Sequence, residues 1–258
     1  MHVQGLLLDI DGTLAEAERA LPGAVAAVVE LRRSGFPLRF VTNTTRRPRR
    51  EIRQRLAAMG IDAGPEEIFT PPLAAVAWLE ARGLSRIAAC VPPATLEDFA
   101  GFALDDRQPQ AVLVGDLGRE WNFDRANAAF RWLLGGAELV ALHRNRYWST
   151  ADGLAIDAGA WVVALEYASG KSGHLMGKPA HEFFARAAES MGLALAEVAM
   201  VGDDVASDVG GAQRAGARGI LVRTGKFLAG ELDRSGVLPD LTVVSIADLP
   251  ASLERITP

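Results

Sequence analysis

The sequence predicts an α/β fold built on parallel strands, and three stretches carry that prediction. Leu6, Leu7 and Leu8 form an apolar run, a helical pattern follows over 22–33, and a second apolar run lies at 36–41, so strand, helix and strand fit within about 40 residues. Apolar runs at 86–91, 111–114 and 139–142 then alternate with or precede helical stretches at 73–82, 123–134 and 160–168. Two more apolar runs, 198–201 and 220–222, end in polar loops, Gly202-Asp203-Asp204 and Arg223-Thr224-Gly225-Lys226. A chain of 258 residues, 49% hydrophobic and 23% charged, is long enough for one large domain or for a core with a second domain inserted.

The first strand is the stretch around which the others are organised. Its leucines run into Asp9 and Asp11, and Gly12 lets the chain bend. On a strand, residues two apart share a face, so both carboxylates reach a ligand at the strand's end if the strand persists that far. Asp-Gly is also a common turn pair, but a turn requires neither the apolar run nor the second carboxylate. Helix 22–33 has Leu21, Val25, Val28 and Leu31 at helical spacing and Gly35 as its stop. The strand at 36–41 ends in Thr42-Asn43-Thr44-Thr45. A helix over 48–59 has Pro48 in its first turn, Ile52, Leu56 and Met59 on one face, and Gly60 after it. Its arginines and those before it, at 46, 47, 49, 50, 53 and 55, read as a solvated face rather than a phosphate-attracting patch.

From 71 to about 172 the chain forms a second α/β unit, punctuated by Pro71-Pro72 and Pro92-Pro93. The polar run from Ser169 to Gly173 is the link back. Gly170-Lys171-Ser172 is not a phosphate-cradling loop, because Leu165 stands where the first glycine belongs and no strand precedes it. The boundaries drawn are therefore a core of 1–71 and 173–258 and an insert of 72–172. In the last part, Gly177-Lys178-Pro179 precedes a helix over 181–191 with Phe183, Phe184, Ala187 and Ala188 inward, and strand 198–201 ends in Gly202-Asp203-Asp204, with Asp208 close behind.

Composition narrows the function. A net charge of −5 and a pI near 5.5 argue against a general nucleic-acid or anionic-membrane binder. No apolar run approaches the roughly 18 residues of a membrane span, and the N-terminus lacks the form of a signal peptide, so a cytoplasmic protein is expected. Cys90 is the only cysteine, which excludes an intrachain disulfide and reads as a small buried residue. Lysine is rare: Lys171, Lys178 and Lys226 are the only three, which singles each of them out. His2, His143, His174 and His181 have no ligand-like spacing and are expected to be structural.

In an open parallel sheet, ligands bind at the carboxyl ends of the strands. Asp9 with Asp11, Thr42 with Asn43, and Asp203 with Asp204 and Asp208 all follow expected strands, and Lys178 sits in a loop that can join them. Carboxylates without histidine or cysteine nearby favour a hard cation with oxygen ligands, and Mg²⁺ is the usual one beside phosphate. Lys178 and the Thr42 hydroxyl suit phosphate oxygens.

Asp9-x-Asp11-Gly12-Thr13, Thr42 after a strand, Lys178 before a proline, and Gly202-Asp203-Asp204 with Asp208 resemble, in order, the four motifs of the haloacid dehalogenase superfamily. The insert resembles the α/β C2 cap of the superfamily's type IIA, NagD-like branch. Gly210-Gly211-Ala212-Gln213, Arg223-Thr224-Gly225-Lys226 and Ala164-Leu165-Glu166-Tyr167-Ala168 are similar to the group of haloacid dehalogenase-like hydrolase domain-containing protein 2 and phospholysine phosphohistidine inorganic pyrophosphate phosphatase. The resemblance implies a Rossmann-like core with helices on both faces of a parallel sheet, plus the inserted cap. It implies a Mg²⁺-dependent phosphatase for a small phosphorylated metabolite, with Asp9 as the nucleophile that becomes an aspartyl-phosphate and Asp11 as general acid and then base. Thr42, the Asn43 backbone and Lys178 would hold the phosphoryl group. Mg²⁺ would rest on the Asp9 carboxylate, the Asp11 main-chain carbonyl and Asp203, with Asp204 or Asp208 acting through water or behind them. A homodimer through the cap is implied as well.

Relatives in this group can carry another residue at the position of Asp11, so the intact pair here strengthens the case for hydrolysis and weakens transfer of any one relative's substrate. Carbon–halogen hydrolysis has no use for Asp11 as a proton donor to a phosphate ester. A non-catalytic phosphometabolite-binding protein is the reading from another class, and the intact Asp9, Asp11, Lys178 and Asp203 speak against it. In the insert, Trp121, Phe123, Tyr147 and Trp148 are expected to be core, while Asp116, Arg119 and Asn122 follow a strand and are candidates to face a substrate. The substrate itself is left open among sugar, nucleotide and aromatic phosphates, pyrophosphate and phosphoramidates.

Overall fold

The computed structural model describes residues 3–150 and 152–254, without the side chains of 149 and 150. His2 lies outside the described residues. The chain divides into two compact units. One comprises the described residues up to Thr42, Arg50–Phe69 and those from Lys178 on; the other is Asn43–Arg49 with Thr70–Gly177.

The first unit opens with strand β1 (Gly5–Asp9), all five residues of which are buried. A short antiparallel ribbon follows, β2 (Ala15–Glu16) and β3 (Arg19–Ala20), and then α1 (Ala24–Arg33), β4 (Leu38–Val41), α2 (Arg49–Ala58) and β5 (Ile68–Phe69). Leu6 pairs with Leu38 on one side and Ala199 on the other, which makes β1 a central strand. A central parallel strand is covered on both faces and therefore reads as a continuous apolar run. Leu6 and Leu8 join a core with Val28 and Leu31 of α1 and Ile52 and Leu56 of α2.

The second unit is the insert. Its elements are α3 (Pro71–Glu80), β6 (Arg86–Cys90), β7 (Ala103–Leu104), β8 (Ala111–Val114), α4 (Phe123–Leu134), β9 (Glu138–Ala141), β10 (Tyr147–Thr150), β11 (Gly153–Ile156), α5 (Ala158–Ser169) and β12 (His174–Leu175). Five of these strands form a parallel sheet in the order β12-β9-β8-β6-β7, and β10 and β11 form a separate antiparallel hairpin. α4 and α5 pack on each other and on β8, with Trp121 stacked on Trp161 at 4.8 Å between ring centroids. Cys90 is buried in this core, and burial pushes its thiol up to about 12. β12 lies beyond Ser172 and pairs with β9, so the insert's sheet runs past the link expected at 169–173.

The expectation that Trp121, Phe123, Tyr147 and Trp148 are all core holds for Trp121 alone. Phe123 is 80% exposed and Tyr147 57%, while Trp148 lies at the surface under the Arg46 guanidinium, 4.6 Å from its ring centroid. Phe123 opens α4, and Tyr147 and Trp148 belong to the hairpin that stands apart from the main sheet, so none of the three has a second layer to cover it.

The chain completes the first unit with α6 (His181–Glu189), β13 (Val198–Gly202), α7 (Gly210–Ala215), β14 (Arg218–Val222), α8 (Ala229–Ser235), β15 (Leu241–Val243) and α9 (Leu249–Glu254). The sheet order is β15-β14-β13-β1-β4-β5, all parallel. Leu253 of α9 joins the face that holds α1, and α6 packs against β1. No helix among the described residues is long and apolar enough to cross a membrane.

Candidate active site

Because β1, β4 and β13 are parallel neighbours, their carboxyl ends deliver Asp9, Thr42 and Asp203 to one edge of the first unit's sheet. Asp9 pairs with Val41 in the ladder, one residue before Thr42, and Asp203 follows the last residue of β13. All three side chains are buried. Lys178, which precedes Pro179 across a cis peptide bond, reaches the same edge from the start of the last segment. Its Nζ lies 2.5 Å from Asp9 Oδ1 and 2.6 Å from Asp208 Oδ1.

Three acidic side chains of this unit converge. Oxygens of Asp9, Asp203 and Asp208 lie within 4.8 Å of one another. Burial raises the Asp9 carboxyl well above its ordinary range; Lys178 opposes the shift, and Asp208 and Asp203 add to it. Asp208 is raised by burial too, against the pull of Lys178. Burial alone would lower the Lys178 ammonium, but Asp208 and Asp9 hold it above its ordinary value. Asp203 is pushed up to about 6, by burial first and the Asp208 charge second. Three buried carboxylates thus face one buried ammonium, and the all-oxygen donor set suits a hard divalent cation such as Mg²⁺.

The pKa of Asp203 has a consequence for stability. Its folded value of about 6 lies above the ordinary 3.8, so between these values the folded chain binds a proton that the unfolded chain has released. The group's cost to the fold is absent below about 3.8, grows as pH rises and is complete above about 6. Asp203→Asn is therefore expected to melt higher than wild type at pH 7 in chelator, with the gap closing toward pH 4, as read by calorimetry.

Glycines make room for these carboxylates. Gly12 and Gly225 both have positive φ, 91° and 58°, and a Cβ on either would collide with the Asp203 carboxylate. A Cβ on Gly202 would strike Asp208. The Lys226 amide donates to Asp203 Oδ2 at 2.6 Å, and the Thr224 hydroxyl donates to the Gly12 carbonyl at 2.5 Å. Sequence reasoning left Thr224 and Lys226 out of the site, although the scarcity of lysine pointed at Lys226.

The other site residues take separate places. Asp204 turns away from the cluster and accepts from the Ala206 and Ser207 amides at 3.0 and 2.8 Å, starting a five-residue π turn, Val205–Val209. Burial opposes it, but the Ser207 amide and Lys226 hold its carboxyl below the ordinary range. That turn brings Asp208 back to Lys178. Asp11 stays at the mouth of the loop with its side chain 51% exposed, 2.7 Å from Arg55 Nη2. Asn43 is the first residue of the second unit. Thr13 Oγ1 is buried with no hydrogen-bond partner among the described residues.

The arginines of 46–55 are not one solvated face. Arg55 is drawn inward, Arg53 donates to the Ala63 carbonyl, and Arg46 pairs with Asp116 at 3.4 Å. Within the second unit, Asp116 is buried after β8, and its amide donates to the Thr45 hydroxyl. Asn122 caps α4 by accepting from the Arg125 amide, which accounts for it without a substrate. His143 is buried 3.7 Å from Asp157. Arg119 is exposed.

A family model described as haloacid dehalogenase-like hydrolase matches residues 6–103, and a second, HAD-hydrolase-like model matches 175–249. Haloacid dehalogenase-like hydrolase domain-containing protein 2 of Bos taurus is 40% identical over 243 residues, 94% of this chain and 93% of its own. The chain belongs to the haloacid dehalogenase-like hydrolase family. Another relative in the family, the phospholysine phosphohistidine inorganic pyrophosphate phosphatase of Danio rerio, is 38% identical over 260 residues, 98% of this chain and 94% of its own. Among solved structures, a p-nitrophenyl phosphatase from Archaeoglobus fulgidus superposes with a TM-score of 0.92 at 26% identity, covering 98% of this chain and all of that one.

Proposed function

We propose that this hydrolase is a Mg²⁺-dependent phosphatase that acts on a small phosphorylated metabolite through an aspartyl-phosphate on Asp9. One observation carries the reading: the Asp9 carboxylate is held 2.5 Å from the buried Lys178 ammonium, beside Asp203 and Asp208. The phosphatase names of the relatives from Danio rerio and Archaeoglobus fulgidus support it.

Mg²⁺ would be held by the carboxylates of Asp9, Asp203 and Asp208 and the main-chain carbonyl of Asp11, and when bound it supplies charge neutralisation between nucleophile and phosphate. The chain's own groups do the rest. Lys178 favours the ionised form of Asp9 against the burial that opposes it and balances charge on the phosphoryl oxygens, while Thr42 and the Asn43 backbone donate to them. An Asp9 oxygen attacks phosphorus as the bond to the leaving oxygen breaks, and Asp11 gives its proton to that oxygen. The Asp11 carboxylate then takes a proton from water as the water oxygen attacks the same phosphorus, which releases phosphate, frees Asp9 and restores protonated Asp11. The insert chooses the substrate in this scheme. Self-association through it is supported by the exposed Tyr147, Leu154 and Ile156 of the hairpin and Tyr167 of α5. A cytoplasmic setting suits its single buried, unpaired cysteine.

The test is hydrolysis of p-nitrophenyl phosphate before and after chelation. Activity is expected to vanish with the metal and return with Mg²⁺, and the melting temperature is expected to rise as Mg²⁺ is added, because a ligand that binds only the folded chain stabilises it. Full activity in the chelated protein would overturn the metal dependence.

A further inference from the structure

We propose that Arg55 is the positioning residue for Asp11, fixing the orientation in which that carboxyl meets the leaving oxygen; the proposal rests on the phosphatase reading above. Asp11 lies past the end of β1, in a loop whose backbone is closed by the Gly12 amide donating to the Ala15 carbonyl and the Leu14 amide donating to the Ile10 carbonyl. Its backbone is thereby fixed. Its side chain is half exposed, and Arg55 is its one ionic partner among the described residues. A proton donor that can swing among rotamers spends little time in line with a leaving group, so something must hold it.

Arg55 has the build for that task. Its side chain is only 12% exposed, and it sits on α2 beside the buried anchors Ile52 and Leu56. From there Nη2 donates to Asp11 Oδ1 at 2.7 Å and also to the Ala17 carbonyl, while Nε lies 3.6 Å from Glu18 Oε2. One planar guanidinium thus ties the Asp11 side chain to the tip of the β2–β3 ribbon. The ribbon tip shows what it is held against. Ala17 has φ 50°, the only positive value outside glycine among the described residues, and its carbonyl is the one that Arg55 engages. The Arg55 Nε has no hydrogen bond within ordinary distance and is otherwise buried, so the side chain is not placed there for its own solvation. Nothing in the helix pattern of α2 requires an arginine at this position.

The test separates proton delivery from general damage by using phenyl phosphates that differ only in leaving-group acidity. In wild type and Arg55→Gln, kcat/KM is measured for p-nitrophenyl phosphate, whose leaving group departs without a proton, and for phenyl phosphate, whose leaving group requires one. kcat/KM reports the steps through phosphoryl transfer to Asp9. Arg55→Gln is expected to lower the phenyl phosphate value by on the order of tenfold more than the p-nitrophenyl value, a part of the usual contribution of a positioned acid. The dephosphorylation step still calls on Asp11 as base, so p-nitrophenyl phosphate should give a burst of nitrophenolate in the variant. Arg55→Lys should recover part of the selectivity by keeping the charge, and it serves as the folded comparison if Arg55→Gln is unstable. Equal proportional losses on both substrates, or no loss, would overturn the proposal. If Asp9→Asn is inactive and the Arg55 losses are equal, only the positioning role fails; if Asp9→Asn is as active as wild type, the aspartyl-phosphate route on Asp9 fails with it, and if wild type hydrolyses neither ester with Mg²⁺ present, the phosphatase reading fails.

Discussion

Asp9→Asn is expected to abolish p-nitrophenyl phosphate hydrolysis, with a loss of at least about 10⁴-fold in kcat, while the protein folds as well as wild type. An amide cannot form the covalent intermediate, and no neighbour can replace it: Asp203 and Asp208 are turned toward the backbone and Lys178, and Asp11 toward Arg55. The stability half of the result follows from charge. Asp9 is one of three buried carboxylates set against a single buried ammonium, so removing its charge relieves repulsion, and Lys178 keeps Asp208 at 2.6 Å. An inactive variant that melts at or above the wild-type temperature in chelator is the expected outcome. Wild-type turnover in Asp9→Asn would remove Asp9 as the nucleophile.

Lys178→Met should behave in the opposite way on stability and alike on activity. It leaves Asp9 and Asp208 buried without their cation, and breaking a buried ion pair from one side typically costs about 3–5 kcal/mol. The metal-free variant should therefore unfold at clearly lower denaturant concentration than wild type. Lowering the pH should recover part of the loss, because Asp9 and Asp208 are raised by burial and take up protons more readily once Lys178 no longer opposes the shift. Activity should be lost as well, since the oxygens of the transferred group lose their fixed positive charge. Two neighbouring substitutions with equal kinetic and opposite thermodynamic effects would identify the cluster as a charge assembly built for a cation. Equal stability in the two variants would contradict it.

The parts of this site that were legible in the sequence are those set by strand ends. Leu6 to Leu8 could only be a buried strand, so Asp9 had to emerge at its carboxyl edge, and Val198 to Val201 place Asp203 by the same reasoning. The ordered motifs added Lys178, and the resemblance to NagD-like phosphatases holds for the fold. Asp204 and Asp208 could not be ranked, because their roles depend on the π turn between them: Asp204 spends one oxygen on its first amides, and the wide turn carries Asp208 round to Lys178. Arg55 was illegible for another reason. Its partner lies 44 residues away, and within α2 it looks like any exposed basic residue. Phe123 and Tyr147 misled because aromatic character reports what a residue gains by burial, not whether a second layer exists to bury it.

The central place of β1 also governs how the chain can be made. Gly5–Asp9 is synthesised before the insert, yet one of its two neighbours is Val198–Gly202, so one flank of the strand has no partner until the whole insert has been synthesised. The sheet of the insert draws all its strands from 86–175 and can close meanwhile. Contacts this distant in sequence form slowly, and an apolar strand left open invites pairing with other chains. The order of synthesis thus runs against the order of completion: the strand that carries Asp9 is made before the insert and enclosed only after it, and a nascent chain stalled in the insert exposes Leu6 to Leu8 to whatever chaperone or neighbour is at hand.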